Sequence, residues 1–148
     1  DGTERAVVMD FGLAKERKAG GELEKLTATG IILGTPEFMS PEQLRGKPLD
    51  PRTDVYSLTL MTYEMLTGKL PFEGRNQQEM MIARLRTDPI SIRSRRSDIP
   101  EAVEKVLHKG MARNADDRYA STVGFATELK AAAGGDADSG FLSRLMGR

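Results

Sequence analysis

The chain has 148 residues, with 22 basic and 22 acidic side chains, zero formal net charge and 39% hydrophobic content. That balance argues against a chain built mainly to hold nucleic acid or an anionic membrane. The absence of cysteine excludes disulfides and thiolate metal sites and fits a reducing, cytoplasmic setting.

No apolar run reaches the ~18 residues of a membrane span, and Asp1-Gly2-Thr3-Glu4-Arg5 does not read as a secretory leader. Ala6-Val7-Val8-Met9 is a short β-branched run and predicts a strand ending at Asp10. Residues 13–33 carry a charged stretch, Lys15-Glu16-Arg17-Lys18, and a helix-breaking Gly20-Gly21 pair, and read as a loop. Ser40-Pro41-Glu42-Gln43-Leu44 predicts a short helix, capped by Ser40 with Pro41 in its first turn.

Residues 53–67 give the strongest helix. Val55, Tyr56, Leu58, Leu60, Met61, Tyr63, Met65 and Leu66 fall on every face, which predicts a central helix buried by its neighbours. Gly68 ends it, with Pro71 just beyond. Three more helices follow: Gln77 to about Arg86, with Met81, Ile82 and Leu85 apolar; Pro100 to about Met111, with a stripe of Val103, Val106, Leu107 and Met111; and a last one, capped by Ser121 or Thr122, with Val123, Ala126, Leu129 and Ala133 inward. The methionines, at helical spacing, read as core. Asp88 to Asp98 reads as a polar loop whose Arg93, Arg95 and Arg96 are solvated. Gly134 to Gly140 is linker-like, and 141–146 is a short amphipathic patch at a free end. One strand and about five helices describe a mainly helical body.

The chemistry-bearing motifs occur in a fixed order. Asp10-Phe11-Gly12-Leu13-Ala14 is followed by Thr27-Ala28-Thr29-Gly30 and by Gly34-Thr35-Pro36-Glu37-Phe38-Met39-Ser40-Pro41-Glu42-Gln43. Then come Asp54-Val55-Tyr56-Ser57-Leu58, Leu66-Thr67-Gly68-Lys69-Leu70-Pro71-Phe72 and Asp117-Arg118-Tyr119. Over roughly residues 5 to 132 this series resembles the C-terminal lobe of Hanks-type Ser/Thr protein kinases, especially bacterial ones. A DFG arises easily by chance; six motifs in register do not.

The resemblance implies an α+β kinase-like fold of which this chain is the mainly helical lobe. Residues 1–132 would be the C-terminal part of the kinase domain, and 133–148 a flexible linker or tail. The activity implied is transfer of the ATP γ-phosphate to protein Ser or Thr. The resemblance assigns Asp10 to Mg²⁺ (or Mn²⁺), because a hard cation on a carboxylate must bridge the phosphate oxygens of ATP. Phe11 becomes the packing switch and Gly12 the flexible joint. Thr27 and Thr29 become phosphorylation sites, where about −1.5 to −2 of added charge can order a loop against Arg side chains. Thr35 becomes the residue that contacts the catalytic base and Lys, and Pro36 to Met39 shape the pocket beside the phosphoacceptor. Glu42 and Arg118, whose spacing alone does not pair them, become a buried ion pair suited to the Arg fork. Asp54 is favoured at a helix start by the dipole; in the family it holds the backbone of the catalytic loop. At Thr59 the family usually has Gly, which puts the closest packing there in question.

Only nine residues precede Asp10, whereas a kinase's Gly-rich loop, strand Lys, helix Glu and catalytic loop all precede the DFG. Residues 1–148 alone are therefore expected to be inactive. The expected partners are protein substrates, with self-association or autophosphorylation; nucleic acid is not expected, and membrane contact only through sequence beyond residue 148. The alternative is a non-catalytic pseudokinase or docking module. Retention of Asp10, Thr35, Glu42 and Arg118 favours the enzyme, since a scaffold has no chemical need for a metal ligand.

Overall fold

The computed structural model describes residues 36–134. The predicted strand at 6–9, the loop at 13–33 and the patch at 141–146 lie outside the described residues. Within them the order is a 3₁₀ turn (Pro36–Phe38), α1 (Pro41–Leu44), α2 (Pro51–Thr67), α3 (Gln77–Arg86), α4 (Ile92–Arg95), α5 (Glu101–Gly110), a second 3₁₀ turn (Ala115–Asp117) and α6 (Thr122–Ala132). No strand occurs among the described residues, and no helix there is long and apolar enough to cross a membrane.

The longest helix, α2, is set at both ends by its sequence. Asp50 caps it by accepting the Arg52 N–H at 2.7 Å, and Pro51 opens the first turn, where a missing N–H costs nothing. Gly68 closes it in the left-handed conformation (φ 72°) while its N–H donates to the Glu64 carbonyl, a conformation only Gly adopts cheaply. Val55, Tyr56, Thr59, Leu60, Tyr63 and Leu66 are buried. The expectation that every face is covered is corrected by Met61 and Met65, 43% and 84% exposed. The elements packed on α2 are α4, α5, α6 and the first 3₁₀ turn, and they leave the Met61/Met65 face open.

The expected stripe on α5 is observed: Val103, Val106, Leu107 and Met111 are all buried. Glu101 and Glu104 sit in its first turn and His108 and Lys109 in its last, matching the helix dipole. Two helices are rotated from expectation. On α6, capped by Ser121, Leu129 and Ala133 face the core as expected, but Val123 is 74% exposed and Ala126 is exposed, and Phe125 is buried in their place. Phe125 offers far more apolar area than either alternative, so its burial sets the rotation. On α3, Ile82 is 43% exposed, Met80 and Ala83 pack on the core, and Arg84 is fully buried. The predicted loop at 88–98 contains α4. Ile92 at its start and Ile99 beyond its end are buried, and these two apolar anchors hold a turn that composition alone reads as solvated.

Candidate functional site

Glu42, in the first turn of α1, meets Arg118, at the end of the second 3₁₀ turn and 76 positions away. The contact is bidentate: Arg118 Nη1 donates to Oε1 at 2.7 Å and Nη2 to Oε2 at 2.8 Å. The remaining Arg118 donors reach the carbonyls of Ala112 (2.7 Å), Arg52 (3.1 Å) and Arg113 (3.2 Å), so the whole fork is satisfied. The Thr53 hydroxyl donates to Glu42 at 2.9 Å, and the guanidinium lies 4.7 Å from the Tyr56 ring centroid. Burial opposes ionisation of Glu42. The Arg118 bonds, its own backbone N–H and the Thr53 hydroxyl outweigh that and hold its pKa below the ordinary 4.5. This pair therefore ties α1 to α2 and to the turn before α6, and it is the pair the resemblance implied.

Immediately before α1 the backbone of residues 36–39 is held just as fully. Arg84 Nη1 donates to the carbonyls of Pro36 (2.9 Å) and Met39 (2.8 Å), and Nη2 to that of Glu37 (2.5 Å). The Ser57 hydroxyl on α2 donates to the Phe38 carbonyl at 2.8 Å. All four consecutive carbonyls thus end on side chains from two helices. Ser40 then starts α1 with a reciprocal capping box: its hydroxyl accepts the Gln43 N–H while the Gln43 side chain accepts the Ser40 N–H. Arg84 was absent from the sequence-derived candidates. Its signal is position: it sits four residues after Met80 on an otherwise apolar face of α3, where a Leu would be ordinary.

Beside this segment opens a cleft of about 310 Å³ lined by Glu37, Glu64, Lys69, Phe72, Glu73 and Arg95, among others. Arg95 is not a solvated cation as expected. It donates to the Leu70 carbonyl at 2.7 Å and to Glu73 at 2.6 Å, over the Tyr63 ring. Arg96 likewise binds the Leu66 carbonyl (3.1 Å) and Asp98. These arginines satisfy the carbonyls at and beyond the end of α2.

Asp54 lies in the first turn of α2 with its side chain exposed. Asp10, Phe11, Gly12, Thr27, Thr29 and Thr35 lie outside the described residues. Among the described residues no group of three or more His, Asp or Glu could hold a metal ion. Thr59 is fully buried and its hydroxyl donates to the Val55 carbonyl at 2.7 Å. Room for it comes from Gly110 on α5, where an added Cβ would lie 2.3 Å from the Thr59 Oγ1. The bulk at position 59 is thus accommodated by an opposing glycine.

The family model described as the protein kinase domain matches residues 1–130. The chain belongs to the protein kinase domain family. It is 39% identical over 126 residues to the serine/threonine-protein kinase pkn3 of Myxococcus xanthus, covering 84% of this chain and 23% of that protein. To serine/threonine-protein kinase PknB of Mycolicibacterium smegmatis it is 37% identical over 122 residues, covering 82% and 19%. Among solved structures, the kinase domain of Mycobacterium tuberculosis PknI, crystallised as a point mutant, matches with a TM-score of 0.56 and 26% identity over 70% of this chain and 36% of that one. The chain spans about a fifth of the length of these curated relatives. Its mainly helical body is accordingly kinase-like in fold.

Proposed function

We propose that the protein carrying this chain transfers the γ-phosphate of ATP to Ser or Thr side chains of protein substrates. Residues 1–132 would form the C-terminal part of its kinase domain and 133–148 a linker or tail. The family match and the Ser/Thr kinase relatives support the reaction class. The observation that carries the reading is the anchoring of residues 36–42, whose carbonyls and carboxylate end on Arg84, Ser57 and Arg118. Phosphoryl transfer relies on positioning and electrostatics, with attacking and leaving oxygens in line. A segment so fully tied is a rigid floor for an acceptor peptide.

The remaining assignments follow from the motif series. The Asp10 carboxylate would hold Mg²⁺ (or Mn²⁺), which when bound supplies charge neutralisation between phosphate oxygens. Phe11 and Gly12 would set the position of Asp10. Thr35 would contact the catalytic base and Lys supplied from elsewhere in the full-length protein, and phosphate on Thr27 or Thr29 would order the loop that carries them against Arg side chains. The exposed carboxylate of Asp54 is available to accept backbone N–H groups of a catalytic loop supplied from elsewhere in the full-length protein.

The test is transfer of labelled γ-phosphate by the full-length protein, compared with its Asp10→Ala variant. The unaltered protein is expected to label substrate, and the variant to lose that labelling by orders of magnitude. Equal labelling by both would overturn the role of Asp10, and no labelling by either would overturn the kinase reading. Residues 1–148 alone are expected to show none.

A further inference from the structure

We propose that Arg84 is a positioning residue for the protein substrate: from α3 it sets the backbone of residues 36–39, and with it the floor and one acidic wall of the acceptor cleft. The proposal rests on the kinase reading above.

Arg84 is the largest fully buried side chain of the described residues, at 0% exposure. Burying a cation is expensive unless it is matched by a counter-charge or fully hydrogen bonded. Here the groups that meet it are the three carbonyl oxygens of Pro36, Glu37 and Met39 and the Phe72 ring, 5.8 Å from the guanidinium carbon. Its Nε is buried without a partner. Burial accordingly depresses its basicity below the ordinary Arg range. A helix needing only to pack would place Leu or Met at this position, with no desolvation cost.

What the guanidinium supplies, and an apolar side chain cannot, is a planar fork. Its two ends hold Pro36, Glu37 and Met39 in one arrangement, and Ser57 holds Phe38 between them. Two residues of that assembly, Glu37 and Phe72, also line the cleft of about 310 Å³ beside the segment. Arg84 therefore acts on the cleft through the backbone of residue 37 and the ring of residue 72, without reaching the cleft itself. Loosening this clamp moves the Glu37 carboxylate and the segment's backbone together, so a peptide loses its register while ATP does not.

The experiment uses the full-length protein, ATP and a Lys-rich, Thr-containing peptide, with Arg84→Gln, Arg84→Lys and Ser57→Ala variants. In Arg84→Gln the KM for peptide is expected to rise roughly tenfold or more, from acceptor misplacement, while the KM for ATP stays within about twofold. Arg84→Lys, which keeps the charge but loses the fork, should fall between Gln and Arg. Ser57→Ala, which leaves the core filled, should raise the same KM by a smaller factor. A folded Arg84→Gln protein with unchanged peptide KM, or with both KM values changed in parallel, overturns the proposal. If Arg84→Gln does not fold, the split in Arg84→Lys and Ser57→Ala decides, and its absence from both overturns it. If the unaltered protein transfers no phosphate, the kinase reading fails, and amide exchange at Glu37, Phe38 and Met39 decides the clamp. Faster exchange in Arg84→Lys then supports it, and unchanged exchange sinks it.

Discussion

The contact between Thr59 on α2 and Gly110 on α5 makes a quantitative prediction about how these two helices pack. A Cβ placed at Gly110 would lie 2.3 Å from the Thr59 Oγ1, 3.0 Å from its Cγ2 and 3.1 Å from its Cβ. The hydroxyl cannot swing away freely, because it donates to the Val55 carbonyl at 2.7 Å inside its own helix. Gly110→Ala must therefore shift α5 or break that bond, a strain of about 1–3 kcal/mol for overpacking. The helical preference of Ala over Gly returns at most ~1 kcal/mol, so a net loss of about 1–2 kcal/mol is expected. Thr59→Ala alone removes a buried methyl and leaves a void against a glycine, costing a similar ~1–2 kcal/mol. In the double variant the new Cβ occupies that void, with only the residue 59 Cβ left at 3.1 Å. Its loss should fall short of the sum of the singles by about 1–2 kcal/mol, read by denaturant unfolding of the full-length protein. Additivity within about 0.5 kcal/mol would refute the reasoning that Gly110 is there for Thr59.

Arg118→Met strands the Glu42 carboxylate where it is 12% exposed, and a loss of about 3–5 kcal/mol in unfolding free energy is expected; a loss under ~1 kcal/mol would show that the pair is dispensable. The depressed pKa of Glu42 means its contribution is fully present above the ordinary value of 4.5 and is lost as pH falls through the folded value below it. Glu42→Gln should therefore flatten the acid limb of stability against pH below about 4.5, and an unchanged limb counts against the linkage. In the cleft, Arg95 is already engaged with Glu73, and the other charged residues lining it are Glu37, Glu64 and Lys69. Glu64→Lys should lower the preference for basic over acidic acceptor peptides several-fold at low salt and less at high salt, which steady-state kinetics checks. The exposed Met61 and Met65 predict that residues 1–148, expressed alone, self-associate. Met65→Lys should reduce that association in sedimentation velocity, and a monomeric unaltered chain would refute it.

How far the sequence carried the fold depends on which physical quantity set each element. Helix ends were legible because they are local. Ser40 with Pro41, Ser121 and Gly68 act on their own neighbours, and each is found capping or closing the helix it marks, whereas the Asp50 cap with Pro51, two residues before the expected start at 53, was not read. Helix rotation was legible only where one apolar stripe stands out, as on α5. On α3 several rotations bury comparable apolar residues, and the carbonyls of residues 36–39 decided between them; on α6 the volume of Phe125, which the expected face left out, set the rotation. The Glu42–Arg118 pair was legible only through the family pattern, since no local rule joins positions 76 apart. Arg84 and Arg95 depart from the rule that usually succeeds, that cations face water, and Arg96 does so only in part, its side chain being 38% exposed. Each instead meets main-chain carbonyls where a helix ends or the chain leaves regular structure: Leu66 and Leu70 at and after the end of α2, and Pro36, Glu37 and Met39 before α1. An irregular, half-buried segment beside a cleft cannot satisfy its own carbonyls through a helix ladder or a sheet. Something must donate several hydrogen bonds over a short arc of backbone, and among side chains the guanidinium offers the most donors in a fixed plane. The arginines that charge-patterning reads as surface are thus where a helical lobe that holds a shaped loop has to place them.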